Sequence, residues 1–143
     1  MRDRARAAIR VLLADDDAQY LDSLRMLIEQ QPELTVVGTA KDGLEAIELT
    51  DDLDPDAAVI DLHMPQLDGV TAVTRLRQDH PNLCLIALTG DEAPALHRAA
   101  KDAGADDVML KSELVGGLVE RLTAAQPAQG APSVSGPSSA KDA

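Results

Sequence analysis

The chain alternates between short aliphatic runs and longer amphipathic segments, and this alternation constrains the fold more than any other feature. Five runs rich in Val, Leu, Ile and Ala lie at residues 9–14, 34–39, 57–61, 83–88 and 108–110. Such runs are apolar at odd and even positions alike, which is typical of strands buried on both faces of a sheet. The segments between them carry apolar residues at helical spacing, for example Leu21, Leu24 and Ile28.

Strict strand–helix alternation predicts an α/β fold with a parallel sheet, because parallel strands are joined by right-handed helical crossovers. Helices then cover both faces, which gives a doubly wound (βα)5 three-layer sandwich. With no Trp, no Phe and one Tyr, the core must be aliphatic. Local signals agree with this reading: Asp42 and Glu45 form a capping-box pattern, and Gly104 suits a left-handed helix end.

Composition limits the domain count and the classes of partner. The 143 residues suit one domain, predicted at 8–125, and the Ala-, Pro-, Ser- and Gly-rich segment 126–143 is predicted to be a disordered tail or linker. A net charge of −12 disfavours direct binding of nucleic acid or anionic membranes. No run approaches the roughly 20 apolar residues of a membrane span. A single cysteine allows no intrachain disulfide, so a cytoplasmic location is expected.

Polar residues end four of the five predicted strands. They are Asp15, Asp16, Asp61, Thr89 and Lys111. The carboxyl ends of parallel strands meet at one edge of a sheet, and ligands of doubly wound folds bind there. We therefore expect these five side chains to form one site.

The chemistry of that set indicates phosphoryl transfer. Two carboxylates about 5 Å apart repel by roughly 3 kcal/mol, so a divalent cation, a lysine or protonation must compensate. Mg²⁺ suits an oxygen-only site. Lys111 and Thr89 can bind phosphoryl oxygens, and a carboxylate beside them can act as the nucleophile.

Other polar residues are given structural interpretations. Asp17 is predicted to cap the following helix rather than to bind a ligand. His63 is predicted to border the site as a loop residue, with a ligand or relay role as the less favoured alternative. A solvated acidic edge is predicted for Asp102, Asp106 and Asp107.

Four segments, VLLADDD, AVIDLHMPQLDG, IALTG and GADDVMLKS, strongly resemble the receiver domain of two-component response regulators. The stretch PELTVVGTAKDGLEAIEL is similar to receivers linked to LuxR-type helix-turn-helix domains. The resemblance implies a flavodoxin-like sheet with strand order 2-1-3-4-5. It also implies phosphorylation by a histidine kinase or a phosphotransfer protein.

The resemblance assigns a role to each site residue by position. Asp61 becomes the phosphoacceptor, and Asp15 and Asp16 hold Mg²⁺ together with Asp61 and the backbone carbonyl of His63. Thr89 becomes the switch hydroxyl and Lys111 the ion-pair partner of the phosphoryl group. Phosphorylation would shift the surface of the fourth helix, fifth strand and fifth helix, residues 91–124, toward a downstream protein or a homodimer partner. The chain would catalyse only its own phosphorylation and dephosphorylation, so it is not expected to be an enzyme.

Departures from the family pattern keep alternatives open. Val108 lies where the family usually has an aromatic residue, and Ser112 lies where proline is frequent. The chain could be a stand-alone receiver or the receiver part of a longer transcriptional regulator. One alternative is a pseudo-receiver that only binds proteins. A minor alternative is a haloacid-dehalogenase-like phosphatase, which also uses an aspartate nucleophile, although that family has acidic residues after its lysine and here Asp106 and Asp107 precede Lys111.

Overall fold

The structure is a computed structural model that describes residues 8–64, 67–90 and 93–124, and these form alternating strands and helices. In chain order the elements are β1 (Ile9–Ala14), α1 (Ala18–Glu29), β2 (Leu34–Ala40), α2 (Gly43–Leu53), β3 (Ala57–Asp61), α3 (Gly69–Asp79), β4 (Cys84–Thr89), α4 (Pro94–Ala103), β5 (Asp107–Leu110), a short 3₁₀ turn (Lys111–Glu113) and α5 (Leu114–Thr123). The strands form one parallel sheet in the order β2-β1-β3-β4-β5. The predicted fold class and strand order are confirmed.

The sheet separates two aliphatic clusters. Successive strand residues point to opposite faces, so Val11 and Leu13 belong to one cluster and Leu12 and Ala14 to the other. Buried residues of α1 and α5 cover the first cluster: Leu21, Leu24, Ile28, Leu118 and Leu122. Buried residues of α2, α3 and α4 cover the second: Ala46, Ile47, Val73, Leu76 and Ala100. Each fully buried Leu or Ile contributes about 1.5–3 kcal/mol, so these clusters are the main source of stability.

The prediction that every strand is buried on both faces is wrong for the two edge strands. All four residues of β5 are only partly buried, and β2 is partly exposed from Thr35 to Gly38 and exposed at Thr39. An edge strand has a neighbouring strand on one side only, so solvent reaches its other side. The central strand β3 is buried throughout.

Helix caps set where the strand-end residues lie. Asp17 caps α1 by accepting hydrogen bonds from the backbone N–H groups of Gln19 and Tyr20, as predicted. The carboxylate of Asp42 accepts from the N–H of Glu45, and the Glu45 side chain reaches back to the N–H of Lys41. Because α1 begins only after the Asp17 cap, Asp15 and Asp16 remain in the loop at the sheet edge.

Gly69 lets α3 start directly against the loop that follows β3. A Cβ at this position would lie 2.4 Å from Cα of Leu62 and 2.6 Å from the carbonyl oxygen of Asp61, which is too close for any side chain. The N–H of Gly69 donates to the carbonyl of Leu62 at 3.3 Å. The close approach supports the backbone beneath Asp61. At the end of α4, Gly104 has φ of +124°, as the predicted left-handed end requires.

The acidic edge predicted near β5 is not simply solvated. Asp106 accepts hydrogen bonds from the Leu85 N–H and from the Arg77 guanidinium, each at 2.8 Å. Arg77 also donates to the carbonyls of Gly104, Pro81 and Leu83, at 2.8 to 3.0 Å. This network joins the end of α3 to the start of β4 and to the loop that precedes β5. It lies at the amino ends of the strands, whereas the polar residues predicted to form the site lie at their carboxyl ends.

Two further predictions concern the chain ends and membranes. The segment 126–143, predicted to be a tail or linker, lies outside the described residues. Across the described part of the chain, every helix is too short or too polar to cross a bilayer.

Candidate functional site

The carboxyl ends of the strands bring the five predicted site residues to one edge. Asp15 and Asp16 follow β1, Asp61 and Thr89 are the last residues of β3 and β4, and Lys111 follows β5 directly. The N–H of Asp15 donates to the carbonyl of Ala40 at 3.0 Å, which extends the strand pairing by one residue and fixes the backbone there. Asp15, Asp61 and Thr89 are buried, whereas Asp16 is exposed.

Three carboxylates form a compact oxygen cluster. One carboxylate oxygen from each of Asp15, Asp16 and Asp61 lies within 4.8 Å of the others. Oδ1 of Asp15 accepts a hydrogen bond from the N–H of Asp17 at 2.9 Å. Oδ2 of Asp15 is buried, and Nζ of Lys111 lies 2.6 Å from it. An oxygen-only donor set with one exposed member fits Mg²⁺, which keeps several of its waters when it binds protein.

Lys111 supplies the positive charge between the two buried carboxylates. Its Nζ lies 2.6 Å from Oδ2 of Asp15 and 3.2 Å from Oδ2 of Asp61. Burial alone would lower the pKa of Lys111, but its contacts with the two carboxylates outweigh burial and raise that pKa above its ordinary value. The side chain therefore carries its full charge at neutral pH.

The pKa of Asp61 is raised by some features of its surroundings and lowered by others. Burial raises its pKa, and the charge of Asp15 raises it further, whereas the hydrogen bond from the His63 N–H (3.1 Å) and the Lys111 ammonium lower it. The net direction is upward, because the carboxylate is almost completely removed from water. A bound cation at this position would favour the ionised form.

His63 borders the site, as predicted. Its Nε2 lies 3.4 Å from Oγ1 of Thr89, and its backbone N–H contacts Asp61. The imidazole therefore lies next to the hydroxyl at the end of β4. Thr89 is completely buried, which holds its hydroxyl at the sheet edge instead of in solvent.

The sequence analysis did not predict a role for Tyr20. The centroid of its ring lies 4.6 Å from Nζ of Lys111, a cation–π contact. Its hydroxyl is buried and has no hydrogen-bond partner in the described ranges. Burial raises the pKa of Tyr20 to about 12. The available signal was that Tyr20 is the one aromatic residue of the chain and lies three residues after the Asp17 cap.

Comparison with known proteins agrees with this geometry. Residues 11–123 match the sequence model of the response regulator receiver domain. The chain belongs to the response regulator receiver family. A relative named protein-glutamate methylesterase/protein-glutamine glutaminase, from Thermotoga maritima, is 38% identical over 112 residues, which are 78% of this chain and 32% of the relative. This receiver spans about a third of the length of such curated relatives.

Solved structures show the same fold. The response regulator domain of Thermotoga maritima CheB is 32% identical and superposes with a TM-score of 0.77, covering 87% of this receiver and 99% of that chain. A LuxR-family two-component response regulator from Aurantimonas sp. SI85-9A1 is also 32% identical, with a TM-score of 0.76 and coverage of 80% and 81%. The predicted similarity to LuxR-type regulators is thus confirmed, together with an equal similarity to the CheB receiver.

Receivers of this family are phosphorylatable, generally bind Mg²⁺ at an acidic pocket, and act with histidine kinases and effector domains. The present receiver has an acidic cluster at the corresponding edge of its sheet.

Proposed function

We propose that this receiver accepts a phosphoryl group on Asp61 from the phosphohistidine of a histidine kinase or a phosphotransfer protein. One observation carries the proposal: a buried carboxylate pair, Asp15 and Asp61, is bridged by Lys111 within an oxygen cluster that is exposed at Asp16. This arrangement places a nucleophile, a fixed cation and a set of cation ligands around one accessible point.

The acidic cluster is proposed to bind Mg²⁺. Asp15, Asp16 and Asp61 would hold the ion together with the backbone carbonyl of His63. When bound, Mg²⁺ supplies positive charge that offsets the carboxylates and the incoming phosphoryl oxygens. Oδ2 of Asp15 lies 2.6 Å from Nζ of Lys111, so a bound ion would compete with the ammonium for this buried oxygen.

In the proposed transfer, a carboxylate oxygen of Asp61 attacks the phosphorus atom. A new P–O bond forms, the P–N bond to the donor imidazole breaks, and its electron pair stays on the imidazole nitrogen. A carboxylate nucleophile has no proton to lose, so the step needs no base. Lys111 would exchange its Asp61 contact for a phosphoryl oxygen, and the hydroxyl of Thr89 would donate to another.

The output is proposed to pass to the α4–β5–α5 surface, residues 91–124, through Thr89 and Lys111, which lie at the ends of β4 and β5. Asp91 and Glu92, which link β4 to α4, lie outside the described residues. Val108 is partly buried on β5 and packs against the cluster under α2, α3 and α4. Because valine has no ring to rotate, the movement would come from the Thr89 hydroxyl and the Lys111 ammonium alone. A shifted surface would bind a downstream protein or form a homodimer.

The remaining parts of the proposal concern the whole chain. The receiver would occupy residues 8–125 and be followed by a tail or linker at 126–143, either alone or within a longer regulator. It would work in the cytoplasm, bind neither nucleic acid nor membrane directly, and turn over no substrate other than its own acyl phosphate.

One specific observation favours a second candidate function. Val108 lies at the position where the family resemblance implies an aromatic side chain that takes part in the output step, and valine has no aromatic ring. A pseudo-receiver would bind its partner through the same surface regardless of phosphorylation.

The test is the intact mass of the protein after incubation with acetyl phosphate and Mg²⁺. We expect one added phosphoryl group in the wild type and in Asp52→Asn, a matched change on the exposed side of α2, and none in Asp61→Asn or with EDTA. If the wild type gains no adduct and forms no beryllofluoride complex, the pseudo-receiver replaces the proposal. Steady consumption of acetyl phosphate without an adduct would instead favour the phosphatase.

A further inference from the structure

Tyr20 is attached to the same loop that carries the acidic cluster. It is the third residue of α1, and its backbone N–H donates to the Asp17 cap at 3.2 Å. The cap therefore fixes the start of α1 relative to Asp15 and Asp16. From this position the ring lies against Nζ of Lys111, with 4.6 Å between the nitrogen and the ring centroid.

Lys111 needs a partner that does not depend on the carboxylates. Its side chain is flexible, and its two charged contacts are with Asp15 and Asp61. These are the groups proposed to bind Mg²⁺ and to accept the phosphoryl group. When they do so, the ammonium loses or weakens both contacts. The electron-rich face of the Tyr20 ring is not used by either ligand and stays available.

We propose that Tyr20 is a positioning residue for Lys111, whose ring face holds the ammonium beside Asp61 while the two carboxylates exchange it for the cation and the phosphoryl group. This inference rests on the proposed function of Asp61. The ring face is the active feature, because the hydroxyl is buried with no hydrogen-bond partner in the described part of the chain. The hydroxyl is protonated at neutral pH, since burial moves the pKa of Tyr20 further above neutral, to about 12, and the ring is therefore uncharged.

The test compares three variants of Tyr20 in the full chain. Tyr20→Phe keeps the ring face and removes the hydroxyl, whereas Tyr20→Leu and Tyr20→Met remove the ring. With acetyl phosphate at saturating Mg²⁺, we expect the rate constant of phosphorylation to fall about threefold to tenfold in Leu and Met, as a cation–π contact of this kind implies. The Phe variant should stay within about twofold of the wild type, since Phe offers a similar face.

A second measurement reads the contact without phosphorylation. Nuclear magnetic resonance should show the ε-methylene protons of Lys111 shifted by the ring current in the wild type and in Tyr20→Phe. That shift is lost with the ring in Tyr20→Leu and Tyr20→Met, so the order parameter of the Lys111 side chain is measured beside it. The order parameter should fall in these two variants and not in Tyr20→Phe, a pattern that a merely structural role for Tyr20 would not produce.

Two results would overturn the inference. One is phosphorylation of both ring-free variants at the wild-type rate, and the other is a Phe variant as slow as the Leu variant. If the wild type accepts no phosphoryl group, the proposed function fails, but the Lys111 resonances still decide the role of Tyr20. An unchanged Lys111 order parameter in the ring-free variants would then refute it, and a fall confined to those variants would support it.

Discussion

Replacing Lys111 with Met is expected to change two properties in opposite directions. It should tighten the binding of Mg²⁺ and slow phosphorylation. Lys111 competes with a cation for Oδ2 of Asp15, since its Nζ lies 2.6 Å from that oxygen. The same ammonium is proposed to bind a phosphoryl oxygen, so its removal takes away charge that the transfer requires.

The size of the effect follows from the contacts of Nζ. At an effective dielectric of about 20, Coulomb attraction is about 6 kcal/mol at the 2.6 Å to Asp15 and about 5 kcal/mol at the 3.2 Å to Asp61. Desolvation of the charges offsets much of this, and breaking a buried pair costs about 3–5 kcal/mol. Because the Lys111 side chain is 24% exposed, we expect the lower end, about 3 kcal/mol of unfolding free energy without metal.

Mg²⁺ should restore part of that loss, because it neutralises the carboxylates that Lys111→Met leaves unpaired. If half of the loss returns, the difference of about 1.5 kcal/mol corresponds to slightly more than about tenfold tighter Mg²⁺ binding. The assay is urea unfolding in EDTA and in saturating Mg²⁺, with a calorimetric Mg²⁺ titration. The phosphorylation rate is then measured from intact mass with acetyl phosphate.

The control is Lys101→Met on the exposed side of α4, which makes the same change of charge away from the cluster. It should alter neither Mg²⁺ affinity nor phosphorylation appreciably. The reasoning is refuted if Lys111→Met binds Mg²⁺ more weakly than the wild type, or if it loses equal stability with and without the ion.

Three further predictions concern the cluster and its scaffold. Asp16→Ala should weaken Mg²⁺ binding in a calorimetric titration by about tenfold or more. Because Asp16 is exposed, the same change should alter the free energy of unfolding in EDTA by no more than about 0.5 kcal/mol. An unchanged Mg²⁺ affinity would show that Asp16 is not a ligand of the ion. Arg77→Met should lower the free energy of unfolding, measured in urea, by about 2–4 kcal/mol, since it breaks charged hydrogen bonds to Asp106 and several carbonyls. A loss below about 1 kcal/mol would contradict this. Phosphoryl acceptance should remain stoichiometric in this variant. Burial raises the pKa of Asp61, so between its ordinary and raised values the folded state binds more protons than the unfolded one. Stability in EDTA should therefore fall as pH rises through that window, and Asp61→Asn should lack this slope; an equal slope in both proteins would show that another group causes it.

Most of the fold could be predicted because its signals are local. The aliphatic runs became β1 and β3 with the bounds expected, and the cap at Asp17 depends only on backbone groups two and three residues away. The sequence analysis did not predict that Asp68 caps α3, where its carboxylate accepts a hydrogen bond from the N–H of Thr71. This cap is as local as the one at Asp17, so the sequence could have predicted it. The order of the strands in the sheet is not recorded in any local pattern. The alternation of strands and helices predicted a parallel sheet, and only the family resemblance supplied the strand order.

What the sequence by itself determined was which polar residues end the strands. Parallel strands end at one edge, so Asp15, Asp16, Asp61, Thr89 and Lys111 all had to lie at that edge, and the strand order then brought them side by side. The tertiary structure decided the relations between residues distant in the chain. Tyr20 meets Lys111, and Arg77 meets Asp106, because helices and strands far apart in sequence pack together, and no local pattern records such a contact. Burial of Asp61 likewise depends on every layer around it, so its raised pKa exists only in the folded protein.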